Sequence, residues 1–131
     1  MSHIVEAKTR VQHPDLAVLR QAVDLVAQQH QGTVETFYVD YYGKRHPVAS
    51  GLALFTPELK RGIGLLITQS GELAFTGDPW AVQRLFEEVQ QEIVQMYVSL
   101  ATMQALQAMG YTTQAQDGLA GQVVIQGVSY A

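Results

Sequence analysis

The chain has 131 residues, of which 47% are hydrophobic and 15% are charged, with a formal net charge of −4 and no cysteine. This length predicts one domain, residues 1–131, with enough apolar content to build a core. The lack of cysteine excludes disulfides, thiol nucleophiles and cysteine-ligated metals, and the acidic balance argues against a nucleic-acid-binding face.

The first part of the sequence predicts a strand followed by a helix. Residues 4–11 alternate apolar and polar side chains, which is the period of a strand with one solvent-exposed face. His13, Pro14 and Asp15 then open a helix, because proline fits the first turn and aspartate favours the positive end of the helix dipole. Gly32 supplies its stop. The predicted apolar face of this helix consists of Leu16, Leu19, Val23, Val26 and His30.

The middle of the sequence predicts two hairpins. Residues 34–42 are rich in β-branched and aromatic side chains, and a Gly-Lys-Arg turn connects them to residues 47–55. Residues 62–68 and 72–76 flank a Gln-Ser-Gly bend, which indicates a second pair of strands.

A long helix is predicted after the second hairpin. Asp78 precedes Pro79, a combination typical of a helix start, and neither proline nor glycine follows until Gly110. One apolar stripe advances by steps of three and four, which either covers the chain's own sheet or forms a seam for a partner helix. We favour the first interpretation. The interface candidates under the second are Phe86, Val89, Ile93, Met96, Leu100 and Met103, with Val82 ahead of them in the stripe.

The end of the sequence predicts a closing strand. Residues 121–130 alternate apolar and polar positions, whereas residues 111–120 are polar and turn-prone, with room for one extra strand near Tyr111. The predicted order is β-α-β-β-β-β-α-β. This order favours an α+β fold, in which two helices pack on one face of an antiparallel or mixed sheet.

No segment predicts export or membrane insertion. The opening residues lack the basic and apolar regions of a secretory signal, and no apolar run approaches the roughly 18–20 residues that span a bilayer. We therefore expect a soluble protein of the cytoplasm, with neither a membrane nor a nucleic acid as its partner.

Sequence motifs for catalysis or cofactor binding are absent. The four histidines are spaced too irregularly to place two imidazoles on one metal ion. Neither a phosphate-binding glycine loop nor a nucleophile-elbow serine occurs. The sequence predicts no metal, no cofactor and no catalytic residue, so an enzyme is not the favoured interpretation.

One polar and aromatic cluster is a candidate binding site. It consists of Tyr41, Tyr42, Lys44, Arg45 and His46, which follow Tyr38 and Asp40. Such side chains bind an anion or a flat ligand through donated hydrogen bonds and stacking. They also occur at solvated hairpin tips without any binding role, and the neighbouring Lys60 and Arg61 are interpreted in that way.

Several short segments resemble one known family. They are residues 1–4 with Lys8 and Thr9, then 62–64, 72–78, 91–97, and Gly110 with Tyr111. In this order they resemble the plastid and cyanobacterial family called hypothetical chloroplast reading frame thirty-five, which has bacterial relatives and no established activity. Arg61 and Gly62 depart from that family's aromatic-Asp pair. The resemblance implies no catalytic residues, but it makes His3, Gln95 and Tyr97 motif positions and ligand candidates.

Three functional hypotheses follow from the sequence. The first is a noncatalytic binding or adaptor protein that contacts a protein partner or a second copy of itself through its sheet or long helix. The alternative is a small-ligand or anion-binding protein that uses the cluster from Tyr41 to His46. The third is a small enzyme with His3 as acid or base, which requires His3 to be buried beside a second titratable group.

Overall fold

The computed structural model describes residues 2–117 and 123–129, and it describes side chains up to residue 111. Two helices and nine strands occur in these ranges, which confirms the predicted α+β class. The elements are β1 (Val5–Gln12), α1 (Leu16–His30), β2 (Thr33–Glu35), β3 (Phe37–Val39), β4 (Arg45–Pro47), β5 (Ala53–Phe55), β6 (Ile63–Ile67), β7 (Glu72–Gly77), α2 (Gln83–Ala108), β8 (Tyr111–Asp117) and β9 (Val123–Ser129).

Five strands form an antiparallel sheet in the order β1-β7-β6-β5-β2. The predicted hairpin of β6 and β7 is confirmed, with Leu65 opposite Phe75 at its centre. Both side chains are fully buried. β1 lies at the edge of the sheet and pairs with β7, so that Ala7 is opposite Phe75. The first predicted strand therefore completes one side of the sheet.

Helix α1 begins as its sequence predicts. The carboxylate of Asp15 accepts hydrogen bonds from the backbone N–H groups of Ala17 and Val18, which are otherwise unpaired at a helix start. Its predicted buried face is confirmed at Leu19, Val23 and Val26, whereas Leu16 is 57% exposed and His30 is half-buried. Gln31 ends the helix in the left-handed conformation, with φ of 54°.

Each strand of the first predicted hairpin is divided in two. β2 pairs with β5 inside the large sheet, whereas β3 pairs with β4 as a separate hairpin in which Tyr38 is opposite His46. A Cβ atom added to Gly64 would lie 2.8 Å from Val48 and 3.2 Å from Tyr38. Since Gly64 alternates with the core residues Ile63 and Leu65, this hairpin covers the sheet face opposite the helices.

Helix α2 begins later than its sequence predicts. Its N-cap is Val82, which makes no capping hydrogen bond with its side chain, so the predicted start at Asp78 is wrong. The N–H group of Val82 donates to the carbonyl of Pro79 at 2.8 Å, which closes a turn ahead of the helix. The 26 residues of α2 then extend over about 39 Å and end before Gly110.

The apolar stripe of α2 belongs to the core of the chain. Phe86, Val89 and Ile93 are buried together with residues of α1 and the sheet, and Met96 and Leu100 pack partly buried against them. The first three are therefore core residues, and the interface hypothesis is wrong for them because they offer no surface to a partner. Met103, farther along the helix, is half-buried.

The last two described strands pair with each other. β8 and β9 form a two-stranded antiparallel sheet that is separate from the larger one. The extra strand near Tyr111 is confirmed, whereas the turn-like character predicted for 111–117 is wrong, because Tyr111, Thr112 and Thr113 favour a strand. Residues 118–122 and 130, also covered by the predictions, lie outside the described residues.

Candidate functional site

A buried carboxylate gathers three parts of the chain at one end of the sheet. Asp78, which is 1% exposed, follows directly after β7. Its oxygens accept hydrogen bonds from the Ser2 hydroxyl at 2.8 Å, the His3 N–H at 3.0 Å and the Tyr41 N–H at 2.8 Å. The backbone of Trp80 donates to it as well. Asp78 thus connects the N-terminal segment, the β3–β4 turn and the segment before α2.

The hydrogen bonds keep this carboxylate ionised. Burial by itself raises the pKa of Asp78, but the bonds from His3, Ser2, Tyr41 and Trp80 outweigh burial and lower the pKa from 3.8 to about 2. A carboxylate that is satisfied by four donors and charged at neutral pH is a structural anchor. It has no free proton to contribute to acid catalysis.

Arg61 completes the anchor from the other side. Its Nε donates to the carbonyl of Asp78 at 2.9 Å, and a terminal nitrogen donates to the carbonyl of Trp80. The guanidinium carbon also lies 5.8 Å from the ring centre of Tyr41, within the range of a cation–π contact. Arg61 was expected to be a solvated turn residue, but it is half-buried and holds two backbone segments together.

A second carboxylate organises the β3–β4 turn. Asp40 accepts hydrogen bonds from the N–H groups of Tyr42 and Lys44, at 2.9 and 3.0 Å, and lies 2.9 Å from Nε2 of His46. The bond with His46 lowers the pKa of Asp40, and the bonds with Lys44 and Tyr42 add to this effect against the opposing effect of burial. The His46 ring stacks on the Tyr38 ring, with centres 5.0 Å apart.

The residues of the predicted ligand-binding cluster therefore lie together in space, but the backbone donors of the turn and Nε2 of His46 are already occupied. His46 and the backbone of the turn bind Asp40, and the guanidinium of Arg45 lies 4.4 Å from the ring centre of Phe37. A turn that already holds one carboxylate has few N–H groups left for an external anion. Lys44 and the two tyrosine rings remain exposed.

Three large aromatic side chains are exposed around the anchor. Tyr41, Tyr42 and Trp80 are 48%, 75% and 40% exposed. The two tyrosine rings contact each other edge to face, with centres 5.4 Å apart, and Arg61 links Tyr41 to the Trp80 backbone. We call Tyr41, Tyr42, Trp80 and Arg61 the aromatic patch. Sequence reasoning missed Trp80, whose position directly after Pro79 was interpreted as helix start.

The three motif positions lie apart from one another. His3 contacts Asp78 through its backbone, while its exposed side chain lines a hollow of 330 Å³ that Glu87 also lines. The burial that an acid–base role requires is not met. Gln95 is exposed beside β1, and Tyr97 is buried with its hydroxyl accepting the N–H of Asp15 at 2.9 Å. Tyr97 therefore joins the two helices and is closed to a ligand.

Comparisons with known proteins add no assignment. No protein-family model, no curated protein and no solved structure matches the chain. The resemblance to the chloroplast reading frame family stays a prediction. Two of the segments that carry it, 1–4 and 72–78, meet at Asp78 through Ser2 and His3.

Among the described residues, no group of three or more histidine, aspartate or glutamate side chains is placed to hold a metal ion. In the same part of the chain, neither helix is long and apolar enough to cross a membrane.

Proposed function

We propose that the chain is a noncatalytic protein-binding module, and that the aromatic patch is its contact surface. The observation that carries this proposal is the exposure of Tyr41, Tyr42 and Trp80, with the backbones of Tyr41 and Trp80 bound to one buried carboxylate. Large aromatic rings bury roughly 150–250 Å² each when they are covered, so leaving three of them in water forgoes substantial hydrophobic stabilisation.

The composition of the patch favours a protein partner. Tyrosine, tryptophan and arginine are the residues most enriched among those that dominate the binding energy of protein interfaces. Their rings are apolar, while the tyrosine hydroxyls and the indole N–H remain available for hydrogen bonds at the rim of a contact.

The rigidity of the patch favours the same interpretation. The carboxylate of Asp78 accepts hydrogen bonds from the backbone N–H groups of Tyr41 and Trp80. The guanidinium of Arg61 donates to the carbonyls of Asp78 and Trp80. A surface that is ordered before binding loses less conformational entropy on association. The cytoplasmic location expected from the sequence is part of this proposal, and a nucleic-acid partner is not, because the chain is acidic.

A small-ligand or anion site in the β3–β4 turn is the second candidate. Lys44 and the Tyr42 ring are exposed there, which supports it. The donors of the turn already bind Asp40, which weakens it. A thermal-shift screen against inorganic phosphate, sulfate and small carboxylates separates the two candidates: stabilisation that Lys44→Ala removes would favour the ligand site.

The proposal is tested by affinity enrichment from the native host, quantified by mass spectrometry. The tagged wild type is compared with Tyr42→Ala and Trp80→Ala, and with Val98→Ala as a control for loss of an exposed apolar side chain from α2. We expect one or more proteins to be enriched by the wild type and the control and to be lost with both aromatic variants. Equal enrichment by all four chains would contradict the proposal.

A further inference from the structure

Strand β1 presents a long free edge of the sheet. It is eight residues long. Within the described residues, β1 pairs with β7 on one side and with no strand on the other. The opposite edge strand, β2, has three residues. The pairing of β1 with β7 is regular from Val5 to Lys8 and shifts register between Lys8 and Gln12. The regular part of an exposed edge carries unpaired N–H and carbonyl groups, which another strand can complete.

Three exposed side chains of this edge are charged, namely Glu6, Lys8 and Arg10. Glu6 and Lys8 lie on the same face of β1, and their cross-strand neighbours on β7 are the neutral residues Thr76 and Ala74. Neither forms an ion pair within the described part of the chain. Charged residues protect many edge strands from pairing. Here Glu6 and Lys8 are opposite in sign, which also allows this part of the strand to complement itself.

From this pattern we infer that β1 pairs antiparallel with β1 of a second copy, about a two-fold axis at Ala7. Pairing about Ala7 places Glu6 of each copy directly opposite Lys8 of the other, which gives two attractive pairs. On the helix side it places Val5 opposite Thr9. A pairing centred one residue further along the strand, at Lys8, would place Glu6 opposite Arg10 but would bring the two Lys8 side chains together.

The surface beside β1 suits a contact between identical copies. Two hollows of 330 and 650 Å³ lie between β1 and α2 and share Gln90. The helix side of the two hollows carries four glutamines, namely Gln83, Gln90, Gln91 and Gln95. A glutamine amide both donates and accepts hydrogen bonds, so it can pair with its own copy across a two-fold axis.

This inference is independent of the aromatic patch, which lies beyond the N-terminal end of β1 and at a different set of residues. The proposed pairing of the two β1 strands does not involve Tyr42. Failure of one proposal therefore does not entail failure of the other.

Charge exchange at Glu6 and Lys8 tests the dimer and its register. Mass is measured by light scattering after size exclusion across a wide range of concentrations. We expect a wild-type dimer, and we expect Glu6→Lys and Lys8→Glu each to raise the dimer dissociation constant about tenfold or more, because like charges then face each other. The double variant with both changes restores attraction and the dimer.

Mixing the two single variants gives the sharpest result. One variant carries lysine at both positions and the other carries glutamate at both, so the mixture forms a heterodimer although each chain alone is mainly monomeric. Glu35→Lys, on the opposite edge, is the matched control and stays dimeric. Circular dichroism shows that each variant is folded. A monomeric wild type, single variants that dimerise like the wild type, or a double variant that stays monomeric would overturn the inference.

Discussion

Replacing Asp78 by asparagine removes the charge of the anchor while keeping its size. The hydrogen bonds that lower its pKa from 3.8 to about 2 correspond to about 2 kcal/mol of folding free energy at neutral pH. The amide also turns an N–H₂ group toward donors such as the Tyr41 N–H, and an unpaired buried donor costs about 1–3 kcal/mol. Together these losses give an expected destabilisation by Asp78→Asn of about 3–5 kcal/mol.

The pH dependence identifies the charge as the cause. Because the pKa of Asp78 is lower in the folded chain than in the unfolded chain, its stabilisation is complete above about pH 5 and is lost as the pH falls toward about 2. The difference in unfolding free energy between wild type and Asp78→Asn should therefore narrow by about 2 kcal/mol over this range.

Urea unfolding followed by circular dichroism at several pH values measures this difference. Asp24→Asn is the control, because Asp24 is exposed on α1 and its replacement should change the unfolding free energy by less than about 0.5 kcal/mol. A cost of Asp78→Asn below about 0.5 kcal/mol, or a difference that stays constant on acidification, would refute the anchor role.

Three further substitutions test the packing of α2 by the same unfolding measurement. Ile93→Ala should cost about 2–5 kcal/mol because Ile93 is fully buried, whereas Val98→Ala should cost little, and similar small losses for both would contradict a core role for the stripe. Tyr97→Phe should cost about 1–2 kcal/mol, because a backbone N–H of α1 loses its acceptor, while Tyr42→Phe should be neutral. Glu92→Gln, which breaks a half-exposed 2.5 Å pair with His30, should cost less than about 1 kcal/mol, and a larger loss would show that this pair is more than a surface contact.

The elements that were predicted well are those whose signals come from residues close together in the sequence. The alternation in β1 and the start of a helix near Asp15 are local, and both are found in the structure. The split of residues 34–42 was not predictable in the same way. It arises because Tyr38 folds onto Gly64, which is distant in sequence, and β propensity does not reveal where a strand leaves its sheet.

The candidate site was predicted only in part, for a related reason. The residues from Tyr41 to His46 were singled out, since their polar and aromatic character is visible in the sequence. Asp78 was assigned to a helix cap because Asp-Pro is a common helix start. Its actual partners, Ser2 and Tyr41, lie far away along the chain, and only the folded structure brings them together.

Photocrosslinking in the native host tests the central claim most directly. A photoreactive amino acid is placed at Tyr42 in the aromatic patch and, in a separate chain, at Val98, which is similarly apolar and exposed on α2. The proposed function predicts a discrete crosslinked protein from position 42 that is absent from position 98 and lost when Trp80→Ala is added. Crosslinking that is equal from both positions, or absent from position 42, would contradict a protein-binding role for the aromatic patch.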